Sequence, residues 1–288
     1  MRLVWGYIWR TIVIGLLSFL ALVIAGILIT VFKLPMPVIN GDTNYIFIMI
    51  IMSGAAISIL LGIITQNLRL FKLMVFGAVF LFLYLNYVTQ IMEALYFVPG
   101  VVTWEVLPTI LLQQLVMAIM IATGVVFLYK RKESSKSKPL YNRGLLDWIF
   151  RIVISIGSYV AFYYLFGRLN AFLFTEGYYL SQIDGLYMPS GNVILVLEIV
   201  RATLIVISIL PIILFLELPV KKVMILSGLS LFVLGGLLPM LQQIGSLPMV
   251  LIITSSVEMF FQFFLTAVVT TLAMHYGDKE IRSEYDFS

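Results

Sequence analysis

Eight hydrophobic stretches, uncharged or nearly so, run the length of the chain, and the segments between them are alternately basic and not basic. Roughly 18 or more apolar residues read as a membrane-spanning helix, because about 20 residues at 1.5 Å per residue cross the hydrocarbon core. The stretches are Thr11 to Phe32, Tyr45 to Ile64, Leu73 to Met92, Val106 to Tyr129, Trp148 to Phe172, Val193 to Leu216, Val223 to Leu247 and Val250 to Met274. Together they leave almost no chain for a soluble domain. The first lacks a small-x-small cleavage site before Lys33 and exceeds a secretory h-region, so it reads as a retained helix.

Positive charge near span ends marks the cytoplasmic side. Arg2 and Arg10 precede the first stretch, Arg69 and Lys72 lie between the second and third, and Lys130, Arg131, Lys132, Lys136, Lys138 and Arg143 fill the central connection. Lys221, Lys222, Lys279 and Arg282 continue the pattern, while the intervening connections hold only Lys33 and Arg168 beside Asp42, Glu176 and Asp184. The expected fold is an all-α polytopic membrane protein of eight transmembrane helices in the cell membrane, with the N-terminus and C-terminus cytoplasmic. The central run RKESSKSKPLYNRG reads as a solvated linker, and its bases also suit anionic lipid headgroups at roughly 1 kcal/mol each.

That linker, residues 131–147, separates two sets of four spans, residues 1–130 and 148–277, with 278–288 as a cytoplasmic tail. Tyr7–Gly15 reads YIWRTIVIG and Trp148–Gly157 reads WIFRIVISIG, each with an arginine at the mouth of its first helix. Lys72 and Lys222 open the third helices, and the fourth align with Gln114 on Gln262 and Thr123 on Thr271. These matches predict a 4+4 internal duplication. An even number of spans per half gives both repeats the same orientation, about an axis along the membrane normal.

Polar residues within the spans acquire depths once the topology is set. Ionisable groups at membrane depth are costly, so they usually face a cavity or a partner. Counted from Val193, Glu198 and Arg201 lie roughly 8 and 12 Å in at 1.5 Å per residue, three apart on one helical face. Glu258 lies about 12 Å in from Val250 by the same rise. Gln113 and Gln114 reach similar depth, and Asn86, Gln90, Glu93, Gln242, Gln243, Arg168 and Asn170 also fall in outer halves. Glu93, Glu105 and Arg168 sit near enough to span ends to be interfacial. Thr254, Glu258, Gln262, Thr266 and Thr270 recur every fourth residue as a polar stripe, which also suits plain helix packing. Pro211, Pro239 and the Gly235–Gly236 pair predict kinks, and a kinked seventh span would widen an outward-facing cleft. The external segment Thr175–Asn192 reads as an interfacial lid or half-helix, or as a partner-binding surface.

Composition narrows the chemistry. Hydrophobic residues make up 62% and charged ones 11%, against about a quarter charged in soluble domains. Cysteine is absent and His275 is the only histidine, so no disulfide framework, thiolate nucleophile, metal site or cofactor is expected. The pI of about 9.2 reflects loop charges that topology already explains, and no nucleic-acid partner is expected. No Walker A, H-E-x-x-H or serine-elbow pattern occurs.

The candidate ligand or ion-pathway site is therefore Glu198, Arg201, Glu258, Gln262 and Gln114, with Arg201 contacting an anionic or lipid-like ligand and Glu258 either pairing with Arg201 or lining the pathway. The first functional expectation is a small permease-like transporter or transporter subunit with an outward-facing polar cavity. The alternative is a non-transporting assembly or sensory subunit that binds membrane lipid or a membrane protein partner at its outer face. An intramembrane lipid-modifying enzyme is weaker, because nothing supplies a nucleophile beside the carboxylates.

Overall fold

A computed structural model of the chain describes residues 2–36, 43–99, 102–129, 143–181, 186–245 and 247–276. The long helices are α1 (Arg2–Val31), α2 (Thr43–Asn67), α3 (Lys72–Phe97), α4 (Leu107–Leu128), α5 (Leu145–Asn170), α7 (Gly191–Phe215), α8 (Val220–Phe232) and α10 (Met249–His275). A π-helical turn at Ala171–Thr175 carries α5 into the short α6 (Glu176–Leu180), and another at Val233–Leu237 carries α8 into α9 (Leu238–Gln242). Among the described residues, eight units are long and apolar enough to cross a membrane. The chain is an all-α, multi-pass membrane protein. The central linker from 130 to 142 and the tail from 277 onward lie outside the described residues.

Most of the helices outrun the apolar stretches that predicted them. The first span begins at Arg2 rather than Thr11, and the third continues past Met92 to Phe97, taking in Glu93. A terminal charge does not stop a helix whose backbone bonds can still form; a change of dihedral does. Lys33 takes φ 53°, and Leu34 N–H then reaches back to Ile29 O at 3.0 Å, which closes α1 with a left-handed cap. Pro219 and Pro248 precede α8 and α10, and a proline lies in the first turn of α4, where a missing N–H costs nothing. The expected half-helix after the fifth span exists as α6, but it continues α5 instead of standing apart. The chain beyond it returns to the bundle through Tyr187 N–H to Phe97 O at 2.8 Å.

Packing falls into two groups. In the first half α1 lies on α2 and α4, and α4 on α3; in the second α5 lies on α7 and α10, and α10 on α8. The groups meet where α3 lies on α7 and α2 on α8. They meet again at one end of the bundle, where the connections after α2 and α7 pair antiparallel at Leu68 and Leu216. Arg69 N–H donates to Phe215 O at 2.9 Å, Glu217 N–H donates to Asn67 O at 2.8 Å, and the Arg69 and Glu217 side chains form an ion pair. This basic end also holds Arg10, whose guanidinium stacks 5.4 Å over Tyr129 at the end of α4. Arg151 in α5 donates instead to the carbonyls of Ala273 and Tyr276 at the end of α10, and Arg143 to Met274 O at 2.7 Å. These donors answer the carbonyls that a helix C-terminus leaves without partners.

The outside of the bundle is apolar. Phe150, Val153, Leu165 and Leu169 of α5 and Phe172 of the π turn after it are exposed on the surface of the bundle, as lipid-facing side chains are. Inside, Gly62 lets the Tyr129 ring lie directly on α2, and a Cβ at Gly62 would overlap that ring. Gly62→Ala is therefore expected to lower stability by about 1–3 kcal/mol through overpacking. Gly77→Ala, in open space on α3, should raise it by up to about 1 kcal/mol. Thermal midpoints in detergent measure both, and equal midpoints for the two variants would contradict the packing of Tyr129 on α2.

Candidate functional site

Glu198 and Arg201 lie on the one stripe of α7 that is buried along its length, together with Leu197, Ala202, Ile205, Ile209 and Ile212. Their spacing of three places both on the same side of the helix. Arg201 Nη1 donates to Glu198 Oε1 at 2.7 Å, and Nη2 donates to Glu93 Oε2 of α3 at 2.5 Å. Glu198 is 0% exposed and Arg201 2% exposed, while the Glu93 side chain keeps 23%. The guanidinium thus spans the seam between the halves, with a carboxylate on each side. Tyr159 and Tyr163 of α5 stand within electrostatic reach of the triad. Two atoms of the triad, Glu198 Oε2 and Arg201 Nε, are buried without a protein hydrogen-bond partner.

Glu258 is not part of this triad. Pairing with Arg201, one of the two roles expected for Glu258, does not form among the described residues, because Arg201 is held by Glu198 and Glu93, and Glu258 by Asn170. Asn170 Nδ2, at the last residue of α5 before the π turn, donates to Glu258 Oε2 at 2.6 Å. Gly167, one turn earlier, brings bare backbone against the carboxylate, so that an added Cβ would stand 3.1 Å from Oε1. Gln262, one turn further along α10, is 3% exposed, and its Nε2 has no partner. Gln114 aligns with Gln262 in sequence but belongs to α4, which lies on α1, α2 and α3. Among the described residues no hydrogen bond joins Gln114 to the others. Of the five candidate residues, the structure brings Glu198 and Arg201 into direct contact, sets Glu258 and Gln262 one turn apart on α10, and leaves Gln114 in the other helix group.

The polar stripe of α10 divides in two. Thr254 and Thr266 bond the carbonyls of Val250 and Gln262 on their own helix at 2.9 and 2.7 Å, which disposes of those hydroxyls locally. Glu258 and Gln262 find no such local partner. Both π turns lie against this stretch of α10. One follows Asn170 directly, and in the other Gly235 and Gly236 meet Phe263 and Met259, so that added Cβ atoms would stand 2.8 and 2.9 Å from them. The expected widening of the seventh span is thus replaced by close approach: the glycines admit neighbouring side chains instead of opening a cleft. π turns recur at functional sites, where one extra residue re-aims the helix beyond it.

Sequence reasoning placed Glu93 near a span end and assigned no role to Gly167, Tyr159 or Tyr163. Glu93 could have been found by noting that it lies at the depth of Arg201 on an adjacent span. Gly167 and Asn170 share an i, i+3 face that carries no other signal.

No known protein family, curated protein or solved structure matches the chain.

Removing one member of a buried ion pair leaves an uncompensated charge and costs roughly 3–5 kcal/mol. Arg201→Ala, which strands two carboxylates, is expected to lose stability in that range. Glu93→Gln, at the part-exposed position, should lose distinctly less. Unfolding of the purified protein in detergent measures the order, and a Glu93→Gln loss equal to that of Arg201→Ala would contradict the triad's geometry.

Proposed function

We propose that the chain is a duplicated, permease-like transporter or transporter subunit whose ionic triad occupies the seam between two four-span repeats. The spacing from Leu68 to Leu216 equals that from Gln114 to Gln262 and from Ser53 to Arg201. The seam contacts of α3 with α7 and of α2 with α8 exchange under the same correspondence. Beyond the π turn the spacing grows by the one residue such a turn inserts, which sets Glu93 against Gln242. Gln242 Nε2 meets Ser53 Oγ at 3.4 Å, so this neutral contact is the counterpart of the Glu93–Arg201 ion pair. That one observation carries the proposal. The same architectural contact is made without charge on one side of the seam, so packing alone does not require a buried arginine on the other.

Substrate sites of duplicated transporters lie at the repeat interface, and alternating access rocks one repeat against the other. The antiparallel pair at Leu68 and Leu216 supplies a hinge at the basic end. The triad supplies a closure nearer the opposite end, which the positive-inside pattern makes the outer one. On this reading the chain is not an enzyme, and it resides in the cell membrane. The alternative, a non-transporting assembly or sensory subunit, draws on one observation: both terminal nitrogens of Arg201 pair with carboxylates of the chain itself.

The neutral side of the seam provides the test. By the same correspondence Ile50 stands for Glu198, so Glu93→Gln, Glu198→Ile and Arg201→Ser together copy the uncharged seam. The triple variant is expected to fold with a thermal midpoint close to the parent. It should lose ionic currents evoked from proteoliposomes on a solid-supported membrane by sodium, potassium, methylammonium and chloride jumps. Loss of folding would favour the structural account, and absence of current in the parent protein would remove the transport reading.

Orientation is tested separately, since the chain has no cysteine of its own. Phe71→Cys and Trp104→Cys, both at exposed positions, should react with an impermeant maleimide from the cytoplasmic and external sides respectively. The reverse pattern would invert the topology.

A further inference from the structure

We infer that the Glu258 carboxylate and the Asn170 amide oxygen form a binding site for a small monovalent cation. The inference rests on the transport-related reading and names the class of solute.

Charge is the first argument. Arg201 is ion-paired to Glu93 and Glu198, and Glu258, although within electrostatic reach of Arg201, makes no ion pair among the described residues. Arg168, next along α5 from Gly167, is exposed and makes no ion pair with it among the described residues. Three carboxylates therefore share one guanidinium in this part of the bundle. An anionic ligand, expected from the sequence, would add to that excess of negative charge.

Hydrogen-bond chemistry is the second. Asn170 is 7% exposed and donates from Nδ2 to Glu258, while Oδ1 of the same amide is buried without a partner. Glu258 and Asn170 thus offer three acceptor oxygens on two side chains joined by one hydrogen bond. A primary ammonium carries three donors, and an alkali ion takes oxygen ligands and completes its shell with water; either satisfies the set. Calcium, which takes six to eight oxygens, is poorly served by three.

Access is the third. Gly167 has no side chain on the face of Oε1, where a Cβ would stand 3.1 Å away. A methyl group there would crowd Oε1 and any cation held at it. The π turn after Asn170 fixes that residue against α10.

The experiment uses the full chain purified in detergent, with its thermal midpoint read against sodium, potassium or methylammonium chloride. Ionic strength is held constant with N-methyl-D-glucamine chloride. A saturable rise of about 5 °C at a hundredfold excess over Kd is expected for at least one cation. Response to sodium or potassium identifies an alkali ion; response to methylammonium alone identifies an amine. Glu258→Gln keeps the hydrogen bond to Asn170 and should fold but lose the rise. Gly167→Ala should weaken it, and Asn170→Asp, which adds a second carboxylate, should shift saturation to at least tenfold lower concentration. No saturable rise with any of the three cations overturns the site, as does a rise that Glu258→Gln leaves unchanged. Should Glu258→Gln fail to fold, an unweakened response in Gly167→Ala together with no gain in Asn170→Asp overturns it equally. Binding without any current in proteoliposomes would sink the transport reading and leave the site standing. Current without binding would do the reverse.

Discussion

Arginine stays charged in proteins, so burying the Arg201 guanidinium obliges the fold to bring carboxylates to it. Much of the second half is arranged around that obligation. Glu198 meets it from the preceding turn of α7, and Glu93 from α3 across the seam. The stripe that carries Glu198 and Arg201 is also the stripe that buries Ile205, Ile209 and Ile212. The rotation of α7 that forms the ion pair is thus the rotation that fills the core. Further along the same stripe Ser208 accepts from Asn86 Nδ2 at 3.0 Å, a second clasp between the same two helices. In hydrocarbon, where lipid tails attract an apolar helix as well as another helix does, such polar clasps and close packing decide which helices associate.

The two sides of the seam meet that need differently. Ser53 and Gln242 join α2 to α9 through a single neutral contact, with Tyr45 adding a hydrogen bond to Leu241 O at 2.9 Å. Glu93 and Arg201 join α3 to α7 through charge. Where the connections pair at the basic end, LRL faces LEL, so that Arg69 meets Glu217. A strictly repeated residue there would face a copy of itself, and two arginines or two glutamates would repel. On the proposed duplication, that difference lets the halves hold together at a place where perfect symmetry could not.

The eight spans were legible because long apolar runs admit few other readings, and their order follows from short connections. Their ends were less so: hydropathy marks where apolar sequence stops, whereas caps such as Lys33 and breaks such as Pro219 mark where helices stop. That difference hid Glu93, which falls one residue past the apolar run ending at Met92 yet inside α3. The Glu198–Arg201 pair was legible from helical spacing. The choice of Glu93 over Glu258 as the third member was not, because both carboxylates lie at suitable depth and only the packing of α3 on α7 separates them. The two glutamines matched in sequence, but equivalence in a repeat is not proximity. The π turns left no sequence mark beyond the Gly235–Gly236 pair, since a one-residue insertion in a helix preserves hydropathy.

The charges also decide what kind of opening the bundle permits. The neutral contact between Ser53 and Gln242 is a single long hydrogen bond, worth little to hold or to break. The triad is different: separating α3 from α7 would expose a guanidinium and two carboxylates together, and apolar surroundings penalise that far more than water does. The seam therefore parts at its charged side only when water or a charged solute enters as the helices separate. On the proposed reading, a positive charge beside Glu258 offsets the repulsion that Glu258 exerts on Glu93 and so raises the work of drawing Glu93 away from Arg201. On the same reading, closure at the seam and occupancy at α10 would be linked through that shared electrostatic field, without any chain of contacts running between them.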